Sequence, residues 1–550
     1  MNAISASISA PTPTGTDRKL GLRAFSSGWT LAATAGLICA LAFPRWEGLF
    51  LEPLAWCALV PLLIALERRQ HPWWCCFVFA LTYQVTQVLP LMVLLGPWVG
   101  ALLVNAIGMW LLPASYVLLR RHFTTGWALS VWVPMGVVLE WAQTTLLATN
   151  APWWALGASQ ARLIAEIQFI HATGMWGLTG WLLLINTLMY WAWRQRNSYR
   201  KALASGLLVA GVIALPWTYG AWRVAKSDQT AVKPSNSVRV GVIGSGLPEP
   251  GTDRIPLALR ASEAAIAQSP DILVWPEGVN VPGMPNMPSM RRTLQQSVAQ
   301  WQTPLLLVGT QFRMYGSELA HTAFSRAIEA PYEARTGSVW LQPEQKVTDP
   351  ALFIPKEHLV PFQEVLPATE SMPWLAAALH PLAQHGRAHW FTAGEEAPPM
   401  LPQLRGSSNT ERTITIAPLL CFEILFPATL AQRVRNGAQL AVWQTNDEDA
   451  QAGLYAYQFA QFARLRAVET GRDIVRVNTD GDHQHIDAYG RTIAQVPRSP
   501  APSHGLFVVA ARQEHTLAVR QPHAFIMACA VTAALIMLWC MGLRQQPPPL

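Results

Sequence analysis

Long apolar runs separated by short polar segments dominate the first 222 residues. Seven runs lie in this region and an eighth lies near the C-terminus. A helix that crosses a bilayer needs about 17–25 mainly apolar residues, and the first two runs are close to the lower limit. The pattern predicts a multi-pass α-helical membrane domain over 29–222 and about eight spans in all, at 29–44, 50–66, 73–96, 98–119, 125–147, 172–193, 202–222 and 523–543.

The pattern changes between residues 237 and 511. Short runs rich in β-branched residues alternate there with segments of helical periodicity, which is typical of a layered α/β domain. We therefore divide the chain into a leader at 1–28, the membrane domain, a polar linker at 223–236, the α/β domain and a C-terminal transmembrane helix at 523–543. The predicted strands are 238–243, 271–277, 304–310, 413–423, 438–446 and 473–478, and the predicted helices are 257–268, 288–300 and 454–471.

Basic residues mark alternate loops of the membrane domain. They precede the first span and follow the second, fourth and sixth spans, whereas the loops after the first, third and fifth spans contain at most one. Because basic loops stay in the cytoplasm, both termini are predicted to be cytoplasmic and the α/β domain to lie on the other side. The first span lacks a convincing cleavage site, so we interpret it as a retained anchor rather than a signal peptide.

The composition agrees with a membrane protein. Only 13% of the residues are charged and 25 are Trp, whereas an ordinary soluble protein has about 25% charged residues. Many Trp lie near the ends of apolar runs, where aromatic belts form at the membrane surface. The net charge of +7 comes largely from short loops between spans, so we predict no nucleic-acid partner.

Six of the seven cysteines lie in predicted spans, and only Cys421 lies in the α/β domain. Cys421 follows a strand-like run, as do Glu277 in VWPEG and Lys356 in FIPKEHLVPFQE. Ligand sites of α/β folds gather at such strand ends. A cysteine nucleophile needs a base, and acyl transfer needs a donor for the developing oxyanion. Glu277 is a candidate base and Lys356 a candidate oxyanion donor.

The three motifs together resemble the Glu–Lys–Cys signature of the nitrilase (carbon-nitrogen hydrolase) superfamily. With seven preceding spans and one following, the chain resembles the apolipoprotein N-acyltransferase family in particular. The resemblance covers nearly the whole chain and includes the segments CALAFP, NAPWWALGASQ, GLTGWLLLINTL and ARLRAVETGRDIVRVNTDG.

The resemblance implies an αββα sandwich in a bacterial inner membrane enzyme, with the catalytic domain on the periplasmic side. It implies that Glu277 is the general base, that Lys356 stabilises the tetrahedral intermediate and that Cys421 forms a thioester. An acyl chain would pass from a membrane phospholipid to the N-terminal amine of a diacylglyceryl-cysteine lipoprotein. No cofactor is implied.

Five further residues are candidates, the first three by the same resemblance. Glu364 matches an additional acid near the lysine, and Phe422 and Glu423 follow the nucleophile. For Glu423, a catalytic role and a role in holding a neighbouring loop by hydrogen bonds are both open. Asn446 is a candidate substrate-binding residue. Glu140, near the outer end of the fifth span, either lines a lipid entrance or simply lies at the interface.

Three departures leave the substrate open. Gln363 replaces a usual Gly, Phe422 replaces a usual Tyr, and after TND at 445–447 the acids Glu448 and Asp449 stand where the family has an aromatic pair near the acyl chain. Because acids disfavour a buried apolar chain, the alternative is a conjugal-transfer (TraB-type) paralogue with another acyl or amide substrate. His483 and His485 are too few for a closed zinc site, so we predict surface residues and no metal.

Overall fold

The structure is a computed structural model. It describes residues 15–68, 71–92, 99–146, 152–228, 236–249, 251–284, 288–314, 332–361, 363–365, 391–394, 402–405, 413–448 and 454–545.

Helices occupy the first seven segments predicted as spans, and they are joined by short connections. One longer connection, which contains the WWALGASQ segment, follows the fifth helix and forms short 3₁₀ turns between Pro152 and Phe169. The helices are α1 (Gly15–Leu41), α2 (Val60–Glu67), α3 (Pro72–Met92), α4 (Val99–His122), α5 (Thr125–Leu146), α6 (Ile170–Thr173), α7 (Trp176–Arg194) and α8 (Tyr199–Asp228).

The rest of the chain alternates strands and helices and ends in a helix at the eighth predicted span. The helices are α9 (Ile255–Ile266), α10 (Pro288–Trp301), α11 (Pro427–Arg435), α12 (Leu454–Thr470), α13 (Leu517–Arg520) and α14 (Ala524–Gln545). The strands are β1 (Ser237–Gly244), β2 (Ile272–Val274), β3 (Asn280–Pro282), β4 (Leu305–Met314), β5 (Tyr332–Leu341), β6 (Leu352–Pro355), β7 (Gln403–Arg405), β8 (Thr413–Leu420), β9 (Leu440–Thr445), β10 (Ile474–Asn478), β11 (His483–Ile486), β12 (Thr492–Val496) and β13 (Ser503–Ala510).

The strands form two sheets. The first has the order β13-β1-β2-β4-β5-β6, with β3 beside β4, and the second has the order β12-β11-β10-β9-β8-β7. β1, β2 and β4 are parallel, as are β8, β9 and β10. β5 is antiparallel to both β4 and β6, so β6 runs in the same direction as β2.

The two sheets pack face to face with helices on both outer faces. Val240 and Val242 of β1 contribute to the core between the sheets, together with Ile416 and Val442 of the second sheet. Ile243 points the other way, toward α9 and α10, because successive side chains of a strand alternate between faces. α11 and α12 cover the outer face of the second sheet. The predicted αββα sandwich is confirmed, and each predicted strand and helix has a counterpart in the structure, although the predicted strand 413–423 ends at Leu420, where a 3₁₀ turn begins.

The exposed surfaces of two helices, α8 and α14, are those expected of a membrane protein. Among the described residues, Tyr199–Ser227 of α8 and Ala524–Gly542 of α14 are long and apolar enough to cross a membrane, and little of either is buried inside the protein. Their exposed side chains include Leu215 at 73% and Trp539 at 65% exposure. Large exposed apolar surfaces of this kind are typical of contact with lipid.

Three further predicted boundaries differ from the structure. α1 begins at Gly15, inside the predicted leader. The second predicted span, 50–66, is a 3₁₀ turn at Glu52–Trp56 followed by α2 of 8 residues, because prolines stand at the start of both elements. α2 alone covers about 12 Å and the preceding 3₁₀ turn adds about 10 Å, so this predicted span is an interrupted helical segment rather than one continuous helix. At the other end of the membrane domain, α8 continues to Asp228, into the predicted linker.

Candidate active site

Strand ends bring the three predicted catalytic residues together. Glu277 comes shortly after β2, Lys356 directly follows β6, and Cys421 directly follows β8. Gln444 of β9 joins the two sheets at this edge, because its amide donates to the Trp275 carbonyl (2.8 Å) and its oxygen accepts from the Ser338 hydroxyl (2.7 Å). The site therefore lies at one edge of the sandwich, between the sheets.

Lys356 is the centre of a buried charge cluster. Its ammonium Nζ lies 2.8 Å from Oε1 of Glu364 and 3.7 Å from Oε1 of Glu277, and its side chain is fully buried. Glu277 in turn interacts with the Cys421 thiol and accepts a hydrogen bond from the backbone N–H of Asn446. Within the described part of the chain, Oε2 of Glu277 has no hydrogen-bond partner. A base with a free oxygen thus stands beside a cysteine and a cation.

Glu364 is itself held in place. Its second oxygen accepts a hydrogen bond from the backbone N–H of Val360 (2.8 Å). The carboxylate is therefore fixed by the loop that carries it, and it fixes Lys356. This arrangement makes Glu364 a positioning residue for the lysine.

Burial and neighbouring charges set the protonation states. Burial raises the pKa of Glu277 to about 7, against the lowering effect of Lys356. Burial and the Glu277 carboxylate raise the pKa of Cys421 above its usual value. Burial alone would lower the pKa of Lys356, but Glu364, Cys421 and Glu277 raise it. At neutral pH the site therefore holds a neutral thiol, an ammonium and a carboxylate whose pKa suits a general base.

The backbone presents Cys421 in an unusual conformation. Its φ angle is 49°, in the left-handed region that few residues other than glycine adopt. It is the first residue of the 3₁₀ turn Cys421–Leu425, directly after β8, and its carbonyl accepts a hydrogen bond from the indole N–H of Trp443 (2.9 Å). Such strain persists where the surroundings enforce it, often at functional sites.

Glu423 binds two loops to each other. Its Oε2 accepts from the backbone N–H of Leu420 (2.8 Å) and its Oε1 from that of Glu357 (2.7 Å). It thus joins the strand before the nucleophile to the loop that carries Lys356. These contacts favour the loop-holding interpretation of Glu423.

Arg433 is a supporting residue that the sequence analysis missed. This buried side chain on α11 pairs with Glu357 at 2.6 Å and with Glu423 at 3.5 Å, and it donates to the Pro418 carbonyl. A signal was present in the sequence, since Arg433 lies between Leu430 and Val434 on the apolar face of a helical pattern. A charge at such a position needs a buried partner.

The other candidates near the nucleophile have distinct surroundings. Phe422 is buried and packs edge-on against Phe426, with ring centroids 5.5 Å apart. Oδ1 of Asn446 accepts from the backbone N–H of Glu448 (3.1 Å). Both residues therefore shape the loops around the cluster.

The acidic run after β9 is largely neutralised within the protein. Asp447 is buried, pairs with Arg476 and accepts from the amide of Asn478 (2.6 Å). Glu448 pairs with Arg254 at 2.7 Å. Asp449 lies outside the described residues.

Glu140 is buried inside the membrane domain, on α5. Its buried carboxylate accepts from the backbone N–H of Leu156 (2.7 Å) and from the hydroxyl of Thr179, and so joins the loop after α5 to α7.

The prediction that His483 and His485 are surface residues is wrong. Both are buried: His483 accepts from the backbone N–H of Asn478 (3.2 Å), and His485 lies 2.9 Å from Asp473. The ring of His485 lies 6.3 Å from that of Phe507 in β13 of the other sheet, a contact that the alternation of β11 alone does not reveal.

Comparison with known proteins agrees with the sequence motifs. Residues 35–188 match the model of the apolipoprotein N-acyltransferase N-terminal domain. The apolipoprotein N-acyltransferase of Chlorobaculum tepidum is 28% identical over 508 residues, 86% of this chain and 89% of that protein. The resemblance to this family is confirmed. The apolipoprotein N-acyltransferase of Geobacter metallireducens is 26% identical over 85% of this chain and 87% of its own length.

Among solved structures, an amidase from Nesterenkonia sp. is 17% identical and covers 52% of this chain and 94% of its own, with a TM-score of 0.32. The NitFhit protein of C. elegans is 14% identical and covers 53% of this chain and 65% of its own, with a TM-score of 0.36.

Proposed function

We propose that this chain is a membrane-bound N-acyltransferase. It transfers a fatty acyl chain from a membrane phospholipid, through a thioester on Cys421, to the N-terminal amine of diacylglyceryl-cysteine lipoproteins. The observation that carries the proposal is the buried cluster of Glu277, Lys356 and Cys421. The cluster lies in a chain similar over 86% of its length to an apolipoprotein N-acyltransferase.

The first half-reaction forms the thioester. Glu277 takes the thiol proton of Cys421 as the sulfur attacks the ester carbonyl carbon of the phospholipid. The carbonyl oxygen becomes an oxyanion, which Lys356 stabilises with an N–H that Glu364 does not use, since an ammonium has three donors. When the carbon–oxygen bond breaks, Glu277 returns the proton to the leaving oxygen, and a lysophospholipid departs.

The second half-reaction uses the same groups. The lipoprotein amine attacks the thioester carbonyl, and Glu277 takes a proton from the amine nitrogen. Collapse of the intermediate breaks the carbon–sulfur bond, and the proton returns to the sulfur of Cys421. An amide forms, and the free thiol is regenerated. One base therefore serves both steps.

The membrane arrangement belongs to the same proposal. About eight crossings with cytoplasmic termini place the α/β domain on the periplasmic side of a bacterial inner membrane, with Glu277, Lys356 and Cys421 facing the outer leaflet. The basic loops after alternate spans support this orientation. Both substrates are then confined to the plane in which the site lies, which raises the frequency of productive encounters.

The pairing of Asp447 with Arg476 and of Glu448 with Arg254 bears on the alternative of a diverged paralogue. Glu448 is one of the two acids that replace the aromatic pair, and an acid that is already paired with an arginine does not put free charge into an acyl-chain site. This observation weakens the reason for preferring another substrate, and we keep lipoprotein acylation as the proposed function.

Two experiments test the proposal. Purified full-length protein is incubated with a phospholipid labelled in its acyl chain, and labelled protein is measured with and without neutral hydroxylamine, which cleaves thioesters. We expect the protein to acquire a label that hydroxylamine removes. The Cys421→Ala variant should not acquire this label, whereas Cys57→Ala, a matched change in the membrane domain, should. Persistent labelling of Cys421→Ala would refute the mechanism.

The second experiment tests the acceptor. The gene is expressed in a host depleted of its own lipoprotein N-acyltransferase, and lipoprotein N-termini are analysed by mass spectrometry. We expect growth and triacylated lipoproteins. A well-expressed protein that forms the thioester but fails in this host would overturn the lipoprotein acceptor and favour the paralogue.

A further inference from the structure

A groove of about 940 Å³ opens between the α4–α5 connection and the end of α7. Arg120 and Arg121 at the end of α4 and Arg194 at the end of α7 line it together with Trp127 and Trp191. None of its lining residues belongs to the candidate active site. The groove is therefore a separate feature, with three guanidinium groups at its mouth.

Among the described residues, Glu67 is the acid that contacts Arg120 and Arg194. Its carboxylate pairs with Arg120, accepts from the hydroxyl of Tyr116 (2.7 Å) and lies 3.4 Å from Nη1 of Arg194. One carboxylate thus contacts two of the three guanidinium groups, which leaves an excess of positive charge in the groove.

Arg121 and Arg194 are the arginines of the groove whose positive charge is least neutralised by other side chains. The guanidinium of Arg121 lies 5.2 Å from the ring centroid of Trp73, and within the described part of the chain Arg121 forms no ion pair. Arg194 donates to the hydroxyl of Thr125 (2.8 Å), while its side chain stays 46% exposed. Both can reach an anion that enters the groove.

The walls of the groove are apolar. Trp127 is 40% exposed, and Trp191 and Leu188 are half-buried beside it. Basic side chains at the ends of membrane helices, beside an apolar wall, suit a molecule with an anionic head and an apolar tail. Basic pockets of this kind between transmembrane helices on the cytoplasmic side bind anionic lipid headgroups.

We propose that this groove binds the phosphate headgroup of an anionic phospholipid of the inner leaflet. Arg121 and Arg194 contact the phosphate, and the acyl chains lie along Trp127 and Trp191. The inference rests on the proposed membrane orientation, which puts the ends of α4 and α7 in the cytoplasm, and it does not depend on acyl transfer.

The test measures lipid binding to the purified full-length protein by native mass spectrometry. Phosphatidylglycerol and phosphatidylcholine with the same acyl chains are titrated in parallel. Each basic residue near an anionic surface contributes roughly a fivefold gain in affinity, so we expect a preference for phosphatidylglycerol of about thirtyfold. The double variant Arg121→Gln, Arg194→Gln should lose this preference. The matched control Arg196→Gln, Arg200→Gln removes the same charge beyond the groove and should retain it.

The Tm of each variant in phosphatidylcholine nanodiscs reports whether that variant is folded. A single variant is tested as well, because it disturbs the fold less than the double variant. Arg121→Gln alone should lower the preference about fivefold. Inorganic phosphate at millimolar concentration should not displace phosphatidylglycerol. Displacement by phosphate would overturn the assignment to a lipid, and an equal loss in the control variant would overturn the assignment to this groove. Thioester formation on Cys421 is measured separately, so failure of this inference is distinguishable from failure of the proposed function.

Discussion

Replacing Glu364 with Gln should impair catalysis without unfolding the protein. The change removes the negative charge that lies 2.8 Å from the ammonium of Lys356, which is fully buried. Loss of a partner from a buried ion pair can cost about 3–5 kcal/mol. Here the Gln oxygen can still accept a hydrogen bond from Lys356, and Glu277 remains 3.7 Å away. We therefore expect a smaller loss of stability, of about 1–3 kcal/mol.

Glu364→Gln should affect catalysis through Lys356, which contacts both Glu364 and Glu277. Without Glu364, the ammonium of Lys356 is drawn toward Glu277, and the pKa of Glu277 falls because Glu364 contributes to raising it. The base is then weaker, and the oxyanion donor is displaced. Removal of a whole oxyanion donor costs about 10²–10³ in rate. Since the lysine is displaced rather than lost, we expect thioester formation to slow by roughly 10- to 100-fold.

The assay is single-turnover formation of the Cys421 thioester from a labelled phospholipid, measured against pH. Glu364→Gln should lower the rate and move the acidic limb of the profile to lower pH. Glu333→Gln is a matched control, because Glu333 belongs to the same sheet but pairs with Arg335. A Glu364→Gln enzyme with normal rate and an unmoved acidic limb would refute the positioning role.

Three further predictions concern the same site. Because the pKa of Glu277 is raised to about 7, the base is protonated at lower pH; the wild-type rate of thioester formation should rise with pH up to about 7 and then level off, and a flat profile from acidic to neutral pH would contradict this. Trp443→Phe removes the hydrogen bond to the Cys421 carbonyl and should slow thioester formation about fivefold, the effect of roughly 1 kcal/mol; because Trp443 is fully buried, the smaller ring also leaves a cavity and should lower the Tm, so the rate is measured well below the Tm, and an unchanged rate would show that the bond does not position the nucleophile. Glu423→Gln weakens the buried ion pair with Arg433 and should lower the Tm of the full chain by about 5 °C, whereas an unchanged Tm would argue against a loop-holding role.

The key residues of the site could be predicted from the sequence, because each stands in a short local motif at the end of a strand. Glu277, Lys356 and Cys421 could be selected in this way before any contact was known, and Glu364 follows from its position in the same segment as Lys356. That these residues lie close together could not be predicted from the motifs alone. It depends on parallel strands from both sheets ending at one edge, where Gln444 joins the sheets.

What the sequence by itself determined is the periodicity: apolar runs long enough to be helices in a membrane, and alternating strands and helices that pack as an αββα sandwich. Only the tertiary structure decided which polar groups meet. It paired Arg433 with Glu423, buried His483 and His485, and neutralised Asp447 with Arg476. The physical reason is that helical and strand periods are local properties of the chain, whereas the partner of a buried charge comes from a distant segment.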